Sequence, residues 1–465
     1  MKKTLLRTAV CVALLFSLTA TNAMAAGKKK KKSKNVDQFP SAVKQTDENG
    51  KVYDFDGMHV DIIDWWSGKD SESKPPVSPS DEATRAWRKW SGQAYNFSVT
   101  QKQFYGWDTH PEQVANYCIS GGKENYIFIV DARSGITGIN SGLFYDLSKI
   151  KGVNWNAKKW NKVAQDMLKR GNSFYATSYT TPEPRGGVFF NKRILEECGI
   201  DPELPYDLQK QNKWTWETFE ELCKKCTKDI DNDGIMDIYG MANSSTEFCP
   251  LAAASNGSTF IGRDANGKFT NLSGTDKTIE SLEWAAHMAT NYEMPQPEGT
   301  EWNWMYAAFI NGQVAFQVDQ LYKVDEYSVM KDDWGFVCFP LGPHGDGVYK
   351  TLHNENMFVI PAIYGKEKAE KIAKIFDLWT EPTPGYDDPE AWKEAYYPRF
   401  RDSRAVDETL VLMTAVPNPR FDTLIPGINY MGDMIWSVYP GYETPQQAYE
   451  KAKPIWDSLL KEANK

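Results

Sequence analysis

The 465-residue chain is long enough for two domains, and with 41% apolar and 25% charged residues it has the composition of an ordinary globular protein. That apolar content excludes global disorder. The 53 Lys and Arg residues against 62 Asp and Glu residues give a formal net charge of −9. This balance argues against nucleic acid as a partner, because phosphate binding needs a clustered basic surface. The aromatic content of 13% indicates either a large core or a site that stacks on ring-shaped ligands.

The first 25 residues have the pattern of a secretory signal peptide. A positively charged start precedes an apolar run over residues 8–20 and a small-x-small cleavage pattern over residues 23–25. The run is too short for a stable membrane anchor. Cys11 lies inside this run and is therefore a poor candidate for lipid attachment. We expect cleavage after Ala25, release into the periplasm or the medium, and no lipoprotein.

Residues 26–56 show no sustained hydrophobic periodicity and predict a Lys-rich disordered linker. Lysines fill six of the seven positions from Lys28 to Lys34. Such a run is usually a solvated tail, and the alternative is weak adhesion to an anionic membrane or wall surface.

Beyond the linker, apolar strand-like runs alternate with helical patterns. The first part predicts strands at 60–65, 97–104 and 126–130 and helices at 81–90 and 110–119. The second part predicts strands at 187–190, 313–318, 334–339 and 356–360 and helices at 216–227, 278–292, 366–379 and from 444 onward. This alternation predicts an α/β fold with a largely parallel sheet.

Six cysteines remain after cleavage, namely Cys118, Cys198, Cys223, Cys226, Cys249 and Cys338. Export permits disulfides, but six cysteines allow 15 pairings and the sequence does not choose among them. Cys223 and Cys226 have the spacing of a redox or zinc half-motif. They also fall on one apolar stripe of the helix that begins after Thr215, which favours buried thiols on a packed face.

Sequence signatures of enzymes are mostly missing. The five histidines fit no metal-binding spacing, and the chain contains no GxSxG, Walker A or GxGxxG pattern. We therefore expect a protein that is not an enzyme. A pair of carboxylates for glycoside hydrolysis remains open, because the chain has 62 acidic residues.

One acidic loop has the spacing of a calcium-binding loop. Loop positions 1, 3, 5 and 9 are the aspartates Asp229, Asp231, Asp233 and Asp237. Gly234 stands at the turn position 6, and Ile235 would offer its backbone carbonyl at position 7. Position 12 is Gly240 rather than Glu, which argues against a full EF-hand. We predict a structural calcium ion, and the alternative is a solvated acidic turn.

An ordered series of motifs resembles the family 1 extracellular solute-binding proteins, the sugar-capturing subunits of ABC importers. The segments are GNSFYA at 171–176, VFFNKRIL at 188–195, TWETF at 215–219, the acidic loop with YG at 239–240, and AAFINGQVA at 307–315. The resemblance runs from about residue 57 to the C-terminus. Phe190 in place of a common Tyr, and Thr177-Ser178 in place of the usual GxP turn, depart from the family pattern.

The resemblance implies a two-lobed periplasmic-binding-protein fold, with each lobe a sheet flanked by helices and a hinge crossed several times. It places residues 57–179 and 316–356 in the first lobe and 180–315 and 357–465 in the second. The implied function is capture of a carbohydrate, such as an oligosaccharide, in a cleft and delivery to a membrane permease by a monomer. The alternatives are a non-sugar solute, such as a polyamine or a metal chelate, and a secreted carbohydrate-active enzyme or adhesin.

Ligand contacts in such sheets come from the loops at the carboxyl ends of strands and from the hinge. The candidate residues in these loops are Trp65, Trp66, Lys69, Asp131, Arg133, Glu183, Arg185, Trp302, Trp304, Asp319, Gln320, Asn354, Glu355 and Tyr430. Aromatic faces stack on sugar rings, and Asp, Asn and Arg side chains hydrogen-bond the hydroxyl groups. Trp66 is the strongest candidate for stacking and Asp131 for hydrogen bonding.

Overall fold

The computed structural model describes residues 39, 42–179, 184–353, 356–386, 390–416 and 418–465. The predicted signal peptide and most of the first half of the predicted linker lie outside these residues. The helices and strands predicted from the hydrophobic pattern are all present among the described residues, and most of their ends agree within a few residues.

Twelve strands occur in the part of the chain that the structure describes: β1 Met58–Asp64, β2 Phe97–Gln103, β3 Tyr126–Val130, β4 Lys169–Arg170, β5 Ser173–Phe174, β6 Gly186–Asn191, β7 Tyr239–Asn243, β8 Ile261–Arg263, β9 Phe269–Asn271, β10 Val314–Gln320, β11 Trp334–Val337 and β12 Met357–Val359.

The same residues contain fifteen α-helices: α1 Pro79–Tyr95, α2 His110–Ser120, α3 Ala132–Asn140, α4 Lys162–Met167, α5 Lys192–Glu197, α6 Leu204–Lys210, α7 Trp216–Cys226, α8 Ser245–Ser255, α9 Asp276–Tyr292, α10 Trp304–Ile310, α11 Val324–Tyr327, α12 Gly365–Trp379, α13 Val411–Ala415, α14 Trp436–Val438 and α15 Pro445–Ala463. Two short π-helical segments, Ala405–Leu410 and Met431–Ile435, precede α13 and α14. No helix among the described residues is long and apolar enough to cross a membrane.

The first sheet has the strand order β12-β3-β1-β2. Strand β1 pairs in parallel with β2 and β3, while β12 is antiparallel to β3. Side chains of successive strand residues point to opposite faces, so the strands feed two cores. Val60 and Ile62 pack in one core, and Ile63 packs in the other. The continuous apolar run of β3 reflects burial on both faces.

The second sheet has the order β11-β6-β10-β7. Strand β10 runs parallel to β7 and antiparallel to β6, and β6 is also antiparallel to β11. Its strands pack in the largest core cluster together with α7, α8 and α9. Each sheet is thus flanked by helices, as the α/β prediction required. The prediction of a largely parallel sheet holds for the first sheet only, because two of the three strand pairs in the second are antiparallel.

The strand pairing differs from the predicted lobe boundaries. Residues 316–356 were predicted in the first lobe, yet β10 and β11 pair with β6 in the second sheet. Strand β12 and helix α12 were predicted in the second lobe, yet they pack with the first sheet. Ring contacts accompany this arrangement: Phe358 of β12 and Phe376 of α12 lie 4.9 Å apart, and Phe189 of β6 and Phe336 of β11 lie 4.5 Å apart.

Two chain segments that connect the sheets run side by side. At the first sheet, Thr177 and Phe358 exchange backbone hydrogen bonds of 3.1 and 2.8 Å. At the second sheet, the backbone N–H of Arg185 donates to the Leu352 carbonyl at 3.0 Å. A third segment returns after α12 and reaches His353, whose N–H donates to the Asn418 carbonyl at 3.0 Å. These three crossings agree with the predicted multiple hinge crossings.

Candidate ligand-binding site

A buried carboxylate organises the turn that follows β1. Asp64 is fully buried, and its Oδ1 accepts hydrogen bonds from the backbone N–H groups of Trp66 at 3.0 Å and Ser67 at 2.9 Å. Its Oδ2 accepts from the Gln101 side chain on the neighbouring strand at 2.7 Å. The turn is therefore tied to β2, which fixes where the two tryptophans leave the sheet.

The tryptophans at the end of β1 belong to an aromatic cluster. The Trp65 ring contacts Trp66, Trp107 and His110 at centroid distances of 4.8, 5.0 and 5.1 Å. Trp66 is 48% exposed and Trp107 is 53% exposed, whereas Trp65 is partly buried beneath them. Two partly exposed indoles thus rest on a packed ring, and an exposed aromatic ring can stack on a ligand.

His110 is a neutral member of this cluster. Its Nε2 lies 2.8 Å from the Ile129 carbonyl, and because a carbonyl only accepts, Nε2 carries the proton. Burial lowers the pKa of His110, while the nearby carboxylates of Asp64 and Asp131 oppose the shift. The remaining ring nitrogen, Nδ1, is buried and has no hydrogen-bond partner.

The other predicted residues of the first sheet have separate positions. Asp131 is the N-cap of α3, and its Oδ1 accepts from the backbone N–H of Ser134 at 2.8 Å. Arg133 is exposed and borders a cavity of about 270 Å³ between α2 and α3, and Lys69 is exposed beyond the tryptophan turn. Larger cavities of about 580 and 500 Å³ lie elsewhere, around Trp216 and Lys374 respectively.

Polar groups gather at the end of β10 in the second sheet. The Gln320 side chain donates to Glu247 Oε1 at 2.5 Å, and Asp319 accepts from the Tyr327 hydroxyl at 2.8 Å. Burial raises the pKa of Asp319 to about 7, opposed by the N–H of Gln320 and the hydroxyl of Tyr327. Burial also raises the pKa of Glu247, which the positive charges of Arg420 and Arg185 counteract.

A row of aromatic side chains leads from the polar residues at the end of β10 to the solvent. Trp302, which is 71% exposed, contacts the Tyr306 ring at 6.3 Å. The Lys323 ammonium lies 3.9 Å from the centre of the same Tyr306 ring and 5.3 Å from that of Tyr322, which is also exposed. Trp304 is half-buried and packs against the core of the second sheet. Exposed rings therefore stand beside hydrogen-bonding groups here as well.

Tyr430 lies deeper than the prediction implied. It is only 2% exposed, its hydroxyl donates to the Thr246 carbonyl at 3.2 Å, and its ring stacks on Phe260 at 5.2 Å. Arg420 lies over the ring at 4.7 Å and pairs with Asp422 at 2.6 Å. In this conformation Tyr430 supports Arg420 from below.

Three predicted residues, Glu183, Asn354 and Glu355, lie outside the described residues. The sequence reasoning missed other residues of the two groups: Trp107, His110, Tyr306, Tyr322, Lys323, Glu247 and Arg420. Trp107 follows the predicted strand β2 and Tyr322 the predicted strand β10, so a search of every loop after a strand finds both residues. Glu247 and Arg420 lie far along the chain from Gln320, and only folding brings them together.

The acidic loop between α7 and β7 gathers three of its four aspartates. Single carboxylate oxygens of Asp229, Asp231 and Asp237 lie within 4.8 Å of one another. Asp233 Oδ1 instead accepts from the backbone N–H of Ile235 at 2.8 Å. Both oxygens of Asp229 also accept backbone N–H groups of the loop, at 3.2 and 2.9 Å. The three gathered groups offer carboxylate oxygens, the ligand type that calcium prefers, but calcium takes six to eight oxygen ligands.

The sequence profile of bacterial extracellular solute-binding proteins matches residues 130–383, which is more than half of the chain. The chain belongs to this family. The matched region runs from the end of β3 through α12 and includes the whole of the second sheet. No curated protein sequence matches the chain significantly.

Solved structures with the same fold are solute-binding proteins of low sequence identity. A binding protein for cyclic α-maltosyl-1,6-maltose from Arthrobacter globiformis has a TM-score of 0.62 at 14% identity, covering 87% of this chain and 99% of its own. An ABC substrate-binding protein of Listeria monocytogenes in complex with cycloalternan has a TM-score of 0.57 at 19% identity, covering 87% and 98%.

A third structure of this fold is UgpB of Mycobacterium tuberculosis in complex with glycerophosphocholine. Its TM-score is 0.61 at 15% identity, covering 87% of this chain and 98% of its own. At these identities the comparison shows the fold alone. The family and these neighbours are binding proteins, and the fold has two lobes, as predicted.

Proposed function

We propose that the protein captures a carbohydrate between its two lobes and delivers it to the permease of an ABC importer. The observation that carries this proposal is the presence of exposed aromatic rings beside hydrogen-bonding side chains at the carboxyl ends of strands in both sheets. Trp66 and Trp107 follow β1 and β2 of the first sheet, and Tyr322 follows β10 of the second. Trp302 precedes α10 and contacts Tyr306, whose ring also lies against Lys323 after β10. Two of the three structural neighbours described above have cyclic oligosaccharides as their ligands.

The tryptophans of the first sheet suit the apolar faces of a sugar, and the polar residues at the end of β10 suit its hydroxyl groups. The apolar C–H faces of a pyranose ring stack on the exposed indoles of the first sheet. The hydroxyl groups of the sugar would exchange hydrogen bonds with Gln320, Glu247 and Arg185. Glu247 is buried, and a hydrogen bond to a charged group that is shielded from water is strong. Asp131 retains a second carboxylate oxygen for the same purpose, since only Oδ1 bonds the helix N-terminus.

In this proposal ligand discrimination is an equilibrium between an open and a closed form. A ligand that contacts both lobes binds the closed form more tightly and shifts the population toward it. The three chain crossings between the sheets supply the hinge. No covalent bond is made or broken, and the permease recognises the closed form of a monomer.

The test is a panel of mono- and oligosaccharides screened by thermal shift and confirmed by titration calorimetry. A sugar present at 100 times its Kd stabilises the folded state by about 2.7 kcal/mol. We expect at least one oligosaccharide to raise the melting temperature in this way. Glycerophosphocholine and a polyamine are included as non-sugar ligands.

The alternatives give different results in the same panel. If glycerophosphocholine or the polyamine stabilises the protein and no sugar does, the ligand is not a carbohydrate. If a sugar is converted to product during long incubation, the protein is an enzyme and the binding proposal is wrong. Chromatography of the incubated sugars makes this second distinction.

We also propose that residues 1–25 are removed during export, which the family's extracellular character supports. N-terminal sequencing of protein secreted by cells that express the full chain tests this step. The expected first residue is Ala26. A mature protein that retains Lys2 and Lys3 contradicts the proposed cleavage.

A further inference from the structure

The second lobe contains a cavity of about 580 Å³ between α7, α9 and the segment that follows β11. This volume lies in the range of small-molecule sites in proteins. Residues on one face of α7 form one wall, and residues of α9 and of the segment after β11 form the rest. None of them belongs to the candidate ligand-binding site, so this cavity needs an explanation of its own.

The apolar part of the lining is firmly held. The Trp216 and Trp284 rings stack in parallel with their centroids 4.1 Å apart, and Phe248 stacks on Trp284 at 5.3 Å. The Trp216 indole N–H donates to the Ser255 hydroxyl at 3.0 Å, and its backbone N–H donates to the Leu341 carbonyl at 3.0 Å. Helix α7 is thereby tied to α8, α9 and the segment after β11. Because the walls are already ordered, a ligand loses little affinity in ordering them.

Acidic side chains outnumber basic ones in this lining, with three glutamates and one lysine. Glu217, Glu220 and Glu221 lie on α7 at positions i, i+3 and i+4, where like charges repel one another. Glu217 and Glu221 are exposed, and in the part of the chain that the structure describes their carboxylates form no hydrogen bond or ion pair. The repulsion along this face of α7 is therefore relieved by no ion pair of these two residues.

Glu220 is fixed in place without losing its charge. Its Oε1 accepts hydrogen bonds from His287 Nε2 at 2.7 Å and from the Tyr292 hydroxyl at 3.1 Å. The Asn291 side-chain amide donates to His287 Nδ1 at 3.0 Å. Because an amide NH₂ group only donates, Nδ1 is unprotonated and the imidazole is neutral. Helix α9 thus orients the Glu220 carboxylate, and its negative charge remains for a cation.

We propose that this cavity is a second binding site, separate from the sugar cleft, for a linear aliphatic polyamine. The ammonium groups form charge-assisted hydrogen bonds with the glutamates, and the methylene segments between them lie against Trp284 and Leu341. Residues at i and i+4 have Cβ atoms about 5–6 Å apart, so Glu217 and Glu221 are spaced for two ammonium groups joined by a short methylene chain. Binding relieves the repulsion along α7.

An extended cation fits this lining better than a metal ion or a sugar. Among the described residues, only the acidic loop brings ligating atoms of three acidic side chains within 4.8 Å of one another, so the glutamates of this cavity do not converge on one ion. Trp216 is 6% exposed, so it offers no open face to a sugar ring, in contrast to Trp66. A flexible chain with several separated positive charges meets both conditions.

The test titrates the purified protein with spermidine by calorimetry at about 0.15 M salt, which screens long-range attraction to an acidic protein. We expect saturable binding of one spermidine per chain. Magnesium carries charge without apolar surface and serves as the control ligand, and an equal concentration of it should not displace spermidine. Displacement by magnesium would show that only charge is recognised and would overturn the assignment to a polyamine.

Two double variants test the position of the site. Glu217→Gln with Glu221→Gln should weaken spermidine binding about tenfold, because two ion pairs are lost. Glu196→Gln with Glu283→Gln is the matched control, since it removes the same charge from exposed positions of the second lobe outside the cavity. It should leave the affinity unchanged, and melting curves verify that both variants are folded. Equal weakening in the two variants would identify non-specific attraction and overturn the proposal.

Sugar titrations separate this inference from the proposed function. All residues around the cavity belong to the second lobe, so a saturating sugar in the cleft should leave the spermidine affinity unchanged. Competition between sugar and spermidine would place the polyamine in the cleft and overturn the second site. A protein that binds spermidine here and no sugar contradicts the proposed function alone, and a sugar-binding protein without saturable spermidine binding contradicts this inference alone.

Discussion

The buried carboxylate of Asp64 holds Trp66 in position. Asp64 is buried and accepts the backbone N–H of Trp66, so the indole leaves the sheet in one direction. Trp65 takes the core-facing position beneath it and contacts Trp107 and His110. A pair of adjacent tryptophans is thereby divided into one structural ring and one exposed ring.

Trp66→Ala should weaken sugar binding strongly while leaving the free protein stable. Loss of a stacking aromatic costs about 2–4 kcal/mol, or ~30- to 1000-fold in Kd. Because nearly half of the Trp66 side chain is exposed, its removal should change the melting temperature of the free protein little. Calorimetry and thermal unfolding measure the two effects.

Ile119→Ala is the matched control, because Ile119 is 67% exposed on the same lobe at the end of α2. It should change neither sugar affinity nor stability. If Trp66→Ala retains its affinity and loses much of its stability, Trp66 is a core residue and not a ligand contact.

Asp319 should make stability depend on pH. Burial raises its pKa to about 7, opposed by Gln320 and Tyr327 and influenced by the charges of Glu247 and Lys323. In the unfolded chain an aspartate ionises near pH 4. Between about pH 4 and pH 7 the unfolded state therefore releases a proton that the folded state keeps, so this stabilising contribution falls as pH rises and levels off above pH 7.

Asp319→Asn removes the titrating group and should flatten this part of the profile. Melting temperatures of both proteins from pH 4 to pH 8 measure it, with circular dichroism of the variant as the control for folding. We expect the wild-type melting temperature to fall relative to that of the variant as pH rises. Parallel profiles would show that Asp319 ionises alike in both states.

At the scale of elements, the contact between α7 and β7 explains why the acidic loop ends in glycine. A Cβ atom on Gly240 would lie 2.6 Å from the carbonyl oxygen of Cys223 and 2.9 Å from its Cα. The backbones of helix and strand thus touch at this point. The twelfth loop position, where an EF-hand has Glu, has no room for a side chain.

Gly240→Ala should destabilise the protein by about 1–3 kcal/mol, because either the helix or the strand must move. Chemical denaturation measures the loss. Gly106→Ala is the control, since no atom lies within 4 Å of its Cβ position and stability should hardly change. Equal stabilities of the two variants would contradict the close approach of α7 and β7.

The calcium site in the acidic loop remains a prediction. If it binds the ion, chelation should lower the melting temperature of the purified protein and leave sugar selectivity intact, because the repulsion of Asp229, Asp231 and Asp237 is then uncompensated. Asp231→Ala should remove the sensitivity to chelator. An unchanged melting temperature on addition of calcium, together with no calcium by elemental analysis, would identify a solvated acidic turn.

At the scale of the whole molecule, sugar binding should make the protein more compact. The exposed rings of the two groups belong to different sheets, and the chain crosses between these sheets three times near Thr177, Leu352 and Asn418. A ligand that contacts both groups draws the lobes together. Small-angle X-ray scattering should show a smaller radius of gyration at saturating sugar, and an unchanged radius with a sugar that does not bind serves as control. Binding without compaction would place the ligand on one lobe.

Local hydrophobic patterns in the sequence were sufficient to predict the elements and the α/β class. Val60 to Trp65 and Tyr126 to Val130 predict strands, and Thr215 and Thr444 mark helix starts where the structure shows capping boxes. These features depend on neighbours in the chain, so composition and spacing determine them.

Tertiary structure decided which elements belong together and which side chains meet. The hydrophobic pattern of β10 would suit either sheet, but β10 pairs with β6 and β7 in the second sheet. Glu247 meets Gln320 across a long stretch of chain. Such contacts depend on how the packed elements are arranged in space, and spacing along the chain carries no record of that arrangement.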